Sequence, residues 1–260
     1  MLMKPPAHRI RPISQGTPFL LIADVDGTLL GDEDGELALK TFRLEYPASC
    51  ILAAVTGRTL SSVESLVLAG RLPRPEYIGS AVGTELMACN DEKNALGGKY
   101  AAQASKEWKL EEIYAAGEGK GVARQEFPEG QPLYQAGFRW NGEQEALAAF
   151  RDRLSGQKCH ILASSGQYID VLPDGLGKGE LARFLQGELG IETDRVVVAG
   201  DSGNDCEMFE TAFKGIVPSN ALDELKSMAR QCRHYHSPYP AARGVIDGLC
   251  RFGFVERCLG

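Results

Sequence analysis

The segment LLIADVDGTLL (20–30) ends an apolar run with two aspartates one residue apart, Asp24 and Asp26. Like carboxylates at that range repel and raise each other's pKa, so the fold must compensate them with a divalent metal, a shared proton or both. Three further stretches carry residues suited to handling phosphate: VTGR (55–58), GLGKGE (175–180) and GDSGND (200–205). The reaction that fits this set is hydrolysis of a phosphate monoester, which needs acceleration of up to ~10²¹-fold. General acid–base help supplies only about 10² to 10⁴. A nucleophile, a metal, a cation and a proton donor must therefore act together, and the chain offers one of each.

Asp24 is the candidate nucleophile, because a carboxylate can attack phosphorus and split one hard step into two. Asp26 is the candidate proton donor to the leaving oxygen and the base for water. Mg2+ is the expected metal, a hard ion satisfied by carboxylates, a carbonyl and phosphate oxygens. Its expected ligands are Asp24, the Asp26 carbonyl and Asp201, with Asn204 or Asp205 in support. Thr56 and the amides of Gly57 and Arg58 are expected to cradle phosphate where a loop enters a helix. Lys178 is expected to supply the opposing cation to phosphate and carboxylate alike. A calcium loop starting at Asp24 is a poor alternative, since its sixth position needs glycine and Leu29 stands there.

Such residues must be held at the carboxyl ends of strands. From Phe19 to about Val82 the pattern predicts strand, helix, strand, helix, strand: FLLIADV, a helix over 36–46, CILAAVT, a helix over 60–69, then YIGSAV. Strands apolar at nearly every position belong in a parallel sheet covered on both faces. The same territory returns near 176 with the helix KGELARFLQGEL, the strand RVVVAG, the helix DCEMFETA, the strand KGIVPS and the helix ALDELKSMA. The expected fold is α/β, a doubly wound, mainly parallel sheet. Between these halves, helices over 103–117 and 143–154 and alternating segments such as LYQAGFRW predict an inserted α+β domain with an antiparallel sheet. The expected division is a tail over 1–17, core over 18–83 and 169–260, and the insert over 84–168.

The four motifs, in this order, resemble those of the haloacid dehalogenase superfamily of phosphohydrolases, whose insert between the second and third motifs is a C2-type cap. AVGTEL (81–86), SSGQYIDVLPDGLGKGE (164–180), GDSGNDCEMFE (200–210) and GIVPSNALDEL (215–225) are further similar to sucrose-phosphate and mannosylfructose-phosphate phosphatases. The resemblance implies Asp24 as nucleophile, Asp26 as acid/base, Thr56 and Lys178 as phosphate clamps and Asp201 as metal ligand. It also implies a small sugar phosphate as substrate, hydrolysed through an aspartyl-phosphate. Gly27 departs from the Asn or His usual among sucrose-phosphate phosphatases, and Gln167 stands where several bacterial members have lysine. A sugar phosphomutase keeping the same intermediate, or a sensor that binds without turnover, are the competing readings.

Sugar selectivity is expected on the insert, at Ser164, Ser165, Gln167, Tyr168 and Asp170 where it returns to the core, and at Glu85 beside its first junction. Tyr134, Phe138 and Trp140 are expected as sheet packing. His234 and His236 are expected in a surface loop.

Composition narrows the classes further. A chain of 260 residues can hold two modest domains without disulfides. A net charge of −7 with no basic run leaves no nucleic-acid footprint. No apolar stretch reaches membrane length, and MLMKPPAHRIRPISQG lacks the apolar middle of a signal peptide. Seven scattered cysteines without a C-x-x-C pair read as reduced thiols of a cytoplasmic protein, expected to be monomeric.

Overall fold

A computed structural model of the chain describes residues 10–13, 17–164 and 166–257. The chain enters through β1 (Ile10–Pro12), then β2 (Phe19–Ala23), α1 (Glu33–Glu45), β3 (Cys50–Val55), α2 (Leu60–Leu68), β4 (Tyr77–Ser80) and β5 (Glu85–Ala88). Next come α3 (Ala95–Ala101), α4 (Leu110–Gly117), β6 (Val122–Arg124), β7 (Ala136–Trp140), α5 (Gln144–Leu154), β8 (Cys159–Ser164) and β9 (Tyr168–Pro173). It closes with α6 (Lys178–Leu189), β10 (Val196–Ala199), α7 (Cys206–Phe209), β11 (Lys214–Val217), α8 (Asp223–Gln231), β12 (Tyr235–His236), α9 (Ala241–Arg251) and β13 (Val255–Arg257).

Seven strands form the main sheet in the order β12-β11-β10-β2-β3-β4-β5, parallel except for β5, which runs antiparallel to β4. The expected α/β architecture, a mainly parallel doubly wound sheet, is what forms. Its central strands β2, β3 and β10 are apolar throughout because both faces are covered. Leu21 and Ala23 of β2 face Leu39 and Phe42 of α1 and Val245 and Leu249 of α9. Leu20 and Ile22 face Leu181 and Leu185 of α6 and Leu225 of α8. The period-2 alternation of a strand thus divides one run between two cores.

Helix ends follow local chemistry. Asp32 caps α1 by accepting the Gly35 N–H at 2.8 Å, with Glu33, Asp34 and Glu36 in the first turn where the helix dipole favours them. α6 ends at Gly190 in the left-handed region, φ 61°.

The second sheet, β6-β7-β9-β8, is antiparallel throughout. Its core is Phe138, Trp140, Ile169 and Val171 packed under Ile113 and Tyr114 of α4 and Leu147 and Phe150 of α5. Phe138 and Trp140 are packing residues, as their alternation suggests.

Several expectations are corrected. β5 falls inside the predicted insert but pairs with β4 in the main sheet, and β9 falls in the predicted core but pairs with β7 and β8. Backbone pairing, which the period-2 pattern does not specify, decides both. The helix expected over 103–117 begins only at Leu110, because the chain turns at 102–109, while α3 forms ahead of it. Ile10–Pro12 is a strand, paired with β13 and anchored by a buried Ile10; residues 1–9 and 14–16 of the expected tail lie outside the described residues. His236 is in β12 at the sheet edge instead of a surface loop; His234 lies in the loop before β12, half-buried, with Nε2 bonded to the Phe209 carbonyl at 2.7 Å. Cys50, Cys89, Cys159, Cys206 and Cys232 are free thiols. Among the described residues no helix is long and apolar enough to cross a membrane.

α1 and α9 approach closely at Gly35, where a Cβ would lie 2.3 Å from the Arg243 backbone nitrogen. Gly187 of α6 is exposed and has open space around it. Gly35→Ala is expected to lower the melting temperature by several degrees, the scale of ~1–3 kcal/mol of overpacking. Gly187→Ala is expected to raise it slightly, by helix propensity worth about 0.5–1 kcal/mol. Thermal melts of the two variants beside the parent check the opposite signs.

Candidate active site

The strand order reverses between β2 and β10, and a doubly wound sheet opens a crevice at that point. Lys178, the first residue of α6, enters it fully buried. Its Nζ donates to Asp24 Oδ1 at 2.7 Å, Asp205 Oδ1 at 2.7 Å and Asn204 Oδ1 at 3.0 Å. Three ammonium protons meet three protein oxygens, so the geometry commits Lys178 to the carboxylates. Its backbone is fixed as well. Gly83, at φ +77°, lies so close that a Cβ would come within 2.8 Å of the Lys178 nitrogen. The Tyr100 hydroxyl donates to the Gly83 carbonyl at 2.9 Å and accepts the Gly177 N–H at 3.1 Å.

Carboxylate oxygens of Asp24, Asp201 and Asp205 lie within 4.8 Å of one another. One ammonium cannot offset all three. Burial pushes Asp24 up to about 8; Lys178 pulls it down, and Asp205 and Asp201 add to the rise. Burial and then the Asp205 charge push Asp201 up to about 7, against Lys178 and a 3.3 Å bond from the Thr28 hydroxyl. Burial works against the charge on Lys178, but Asp205 and Asp24 outweigh it and its pKa rises.

Excess negative charge on hard oxygen donors is what a small divalent cation such as Mg2+ fits. Within the cluster the carboxylates differ in freedom. Asp205 accepts from Lys178 on Oδ1 and from the Asp201 and Ser202 N–H groups on Oδ2, the latter two at 2.9 and 3.0 Å, closing a capping box with Ser202. Asp24 and Asp201 keep oxygens free for a cation. Asn204, expected as a ligand, has its carbonyl on Lys178 and on the Ser202 hydroxyl, the latter at 3.1 Å.

Gly27 explains how Asp201 reaches this place. A Cβ at position 27 would lie 2.3 Å from Asp201 Oδ2, and φ there is +77°. A larger residue would collide with the carboxylate.

Asp26 points elsewhere. The Arg58 guanidinium grips it in a fork, Nε to Oδ2 at 2.6 Å and Nη2 to Oδ1 at 2.7 Å, and also donates to Ser62 at 2.9 Å. The Arg58 amide, expected to stand free for an anion, donates instead to Thr56 Oγ1 at 3.2 Å; the Thr56 hydroxyl proton stays available. This loop rests on an unusual turn: Ala81, Val82 and Gly83 all have positive φ, at 50°, 58° and 77°. The Ala81 and Val82 N–H groups donate to the Arg58 and Thr56 carbonyls, both at 2.9 Å. A β-branched residue in the left-handed region is strained, and such strain concentrates at functional sites.

The site opens into a cavity of about 590 Å3, with Asp24, Asp26, Thr56, Gly57, Arg58 and Asp201 on its main-sheet side. The second sheet faces them with Gln125, Phe127, Gln135, Ser164, Tyr168 and Asp170. Asp170 is pushed up to about 6 by burial, against a bond from Gln135. The connection between β6 and β7 reaches back to the start of α2, where Glu129 accepts bonds from the Ser61 hydroxyl at 3.0 Å and from Thr59.

Of the residues expected to read a sugar, Ser164, Tyr168 and Asp170 line the cavity. Glu85 does not: it is tied to the Ser80 hydroxyl at 3.1 Å, because antiparallel pairing sets it opposite that serine. Gln167 is an exposed turn residue whose carbonyl accepts the Trp140 N–H at 3.0 Å. Ser165 lies outside the described residues. Gln125, Phe127, Gln135 and Val82 were not expected, since no motif marks them and only the folded sheets bring them to the cavity.

The family model of sucrose-6F-phosphate phosphohydrolase matches residues 17–253. Mannosylfructose-phosphate phosphatase of Agrobacterium fabrum is 33% identical over 245 residues, 92% of this chain and 98% of that protein. Glucosylglycerol-phosphate synthase of Pseudomonas anguilliseptica is 30% identical over 242 residues, 92% of this chain and 31% of the synthase. The sucrose-phosphatase of Synechocystis, solved with sucrose and phosphate, superposes with a TM-score of 0.82 at 27% identity, over 92% of this chain and 99% of that one.

The repulsion in the cluster has a measurable sign. An unfolded aspartate releases its proton near 3.8 and the folded Asp201 only near 7, so without metal the fold loses stability as pH rises through that window. Asp201→Asn removes the repelling charge. Its metal-free melting temperature is expected to exceed the parent's at pH 8 by about 2–4 °C, the shift from ~1 kcal/mol in a chain of this size. The gain should vanish at pH 4, and Mg2+ should stabilise the parent more than the variant; differential scanning calorimetry at both pH values reads this out.

Proposed function

The chain belongs to the sucrose-6F-phosphate phosphohydrolase family, and from that premise we propose that it removes phosphate from a phosphorylated disaccharide or similar sugar, carrying the phosphoryl group transiently on Asp24. The observation that carries the reading is the Lys178 centre. It joins Asp24 of one motif to Asn204 and Asp205 of another, and Asp24 and Asn204 line a cavity of about 590 Å3, inside the range of small-molecule sites.

The steps follow from the atoms in place. The Asp24 oxygen that Lys178 leaves free attacks phosphorus, and the bond from phosphorus to the sugar oxygen breaks. Lys178 holds the carboxylate at the correct angle. The Thr56 hydroxyl and the Gly57 amide donate to phosphate oxygens, and Arg58 turns its fork from Asp26 to the phosphate. Asp26, so released, takes up a proton from solvent, gives it to the leaving sugar oxygen and then takes one from the attacking water. That water attacks phosphorus, inorganic phosphate departs and Asp24 is restored. Mg2+ bound by Asp24, Asp201 and the Asp26 carbonyl would supply the positive charge that lets a carboxylate approach a phosphate. The β6–β9 layer acts as a cap whose opening admits sugar phosphate and releases product.

Phosphate release is to be measured over a panel of sucrose 6-phosphate, mannosylfructose phosphate, glucosylglycerol phosphate, trehalose 6-phosphate and simple hexose phosphates, with Mg2+ and with chelator. The expected outcome is one disaccharide-type phosphate with the highest kcat/KM and loss of activity in chelator. Asp24→Asn should lower kcat by at least about 10³-fold while sugar-phosphate binding persists. Isomerised sugar phosphate without net release would mean a mutase, and binding without turnover a sensor; either result overturns the reading.

A further inference from the structure

Tyr100 carries a hydroxyl that no step of the proposed reaction uses. The residue lies in the last turn of α3, fully buried in the core that includes Leu86, Leu176 and Leu181, with the Phe184 ring centre 5.0 Å from its own. Phenylalanine would fill such a place without a polar group to satisfy. The hydroxyl instead meets three backbone atoms: the Gly83 carbonyl at 2.9 Å, the Gly177 carbonyl at 3.0 Å and the Gly177 N–H, which it accepts, at 3.1 Å. Burial pushes the phenol well above its ordinary pKa, so the proton that serves these carbonyls is retained.

The two glycines govern different parts of the site. Gly83 closes the left-handed run of 81–83, whose first two amides hold the Arg58 and Thr56 carbonyls. Gly177 is the N-cap of α6, at φ 139°, and has no side chain to bond the helix start from which Lys178 projects. Glycine has the widest backbone freedom of any residue, so two of them side by side keep their places only when something outside fixes them. Tyr100 does this from a third element. The segment after it follows the same path: the Ser105 N–H donates to the Asp174 carbonyl at 3.0 Å, and a Cβ at Gly175 would lie 2.4 Å from the Gln103 carbonyl oxygen. Residues 100–105 lead towards the second sheet and 174–177 return from it, so the hydroxyl stands where both connections between the sheets meet.

We propose, on the reading that this site hydrolyses a sugar phosphate, that Tyr100 is a positioning residue whose hydroxyl holds Gly83 and Gly177 together and thereby sets the Lys178 ammonium against Asp24. It is not among the residues lining the cavity. Its effect therefore falls on the attack at phosphorus and spares the capture of substrate. A displacement of about 1 Å in a reacting group can cost on the order of 10²-fold in rate, and a helix start released from its anchor is displaced on that scale.

The test compares kcat and KM of the full chain with Mg2+ for the parent, Tyr100→Phe and Phe42→Leu, on the best sugar phosphate and on p-nitrophenyl phosphate. Phe42 is fully buried in the core on the opposite face of the main sheet, so its variant loses stability without touching the partners of Tyr100. Tyr100→Phe is expected to lower kcat by about 10- to 100-fold on both substrates with KM within about threefold of the parent. Phe42→Leu is expected to lower the melting temperature at least as far and to keep kcat within about twofold, which separates positioning from general stability. Parental kcat in Tyr100→Phe, a raised KM at constant kcat, or an equal loss of kcat in Phe42→Leu overturns the proposal. If Tyr100→Phe fails to fold, Tyr100→Met, flexible enough to refill the space, is read for the same split. A parent that hydrolyses p-nitrophenyl phosphate but no sugar phosphate refutes the reading on which the proposal rests, and the role of Tyr100 is then decided on p-nitrophenyl phosphate.

Discussion

A fully buried ammonium shared by Asp24, Asp205 and Asn204 is the contact on which the rest of the structure turns. Its position is locally unfavourable, since Lys178 opens α6, where the helix dipole repels positive charge. Burial adds a desolvation cost that ion pairing does not reliably recover. What the contact enforces is agreement: the end of β2, the loop after β10 and the start of α6 must all be in place before the three oxygens converge. A conflict between local preference and global arrangement is the mark of a functional site.

The backbone around that centre is drawn in closer than side chains would allow. Gly27 gives way to Asp201, and Gly83 to the Lys178 backbone. Beside them Ala81 and Val82, the first two of three consecutive residues in the left-handed region, donate their amides to the loop of Thr56 and Arg58. Rigidity of this kind sets Asp24, Lys178 and Thr56 in fixed relation, and fixed relation is what the proposed phosphoryl transfer would draw on for rate. The glycine after Asp26, a departure from the usual sucrose-phosphate phosphatase pattern, is accounted for by packing alone.

Much of this arrangement is legible in the sequence because it is written locally. Apolar runs followed by Asp24, Thr56 and Asp201 mark strand ends, and the period of KGELARFLQGEL matches α6 from Lys178 to Leu189. The fold class follows from the same signals. The grip of Arg58 on Asp26 spans 32 positions and leaves no trace in either motif. The far wall of the cavity is harder still. Gln125 and Phe127 come from a segment without periodicity, and Gln135 precedes β7 by one residue, so only strand pairing carries them to the site. Glu85 shows the reverse error, a polar residue at a junction that pairing turns towards Ser80.

The order of strands in the main sheet bears on how the protein is made. β2 is complete by residue 23, but one of its two neighbours, β10, begins only at residue 196. The second sheet lies wholly between them, finished by residue 173. On a chain growing from its amino end, the antiparallel layer can close while the central strand of the larger sheet still presents a bare, fully apolar edge. Domains emerging during synthesis fold in such an order, and unpaired strand edges are where nascent chains associate wrongly. The layer that covers the cavity is thus free to form early, and the cavity floor can assemble only after the loop bearing Asp201 has been synthesised.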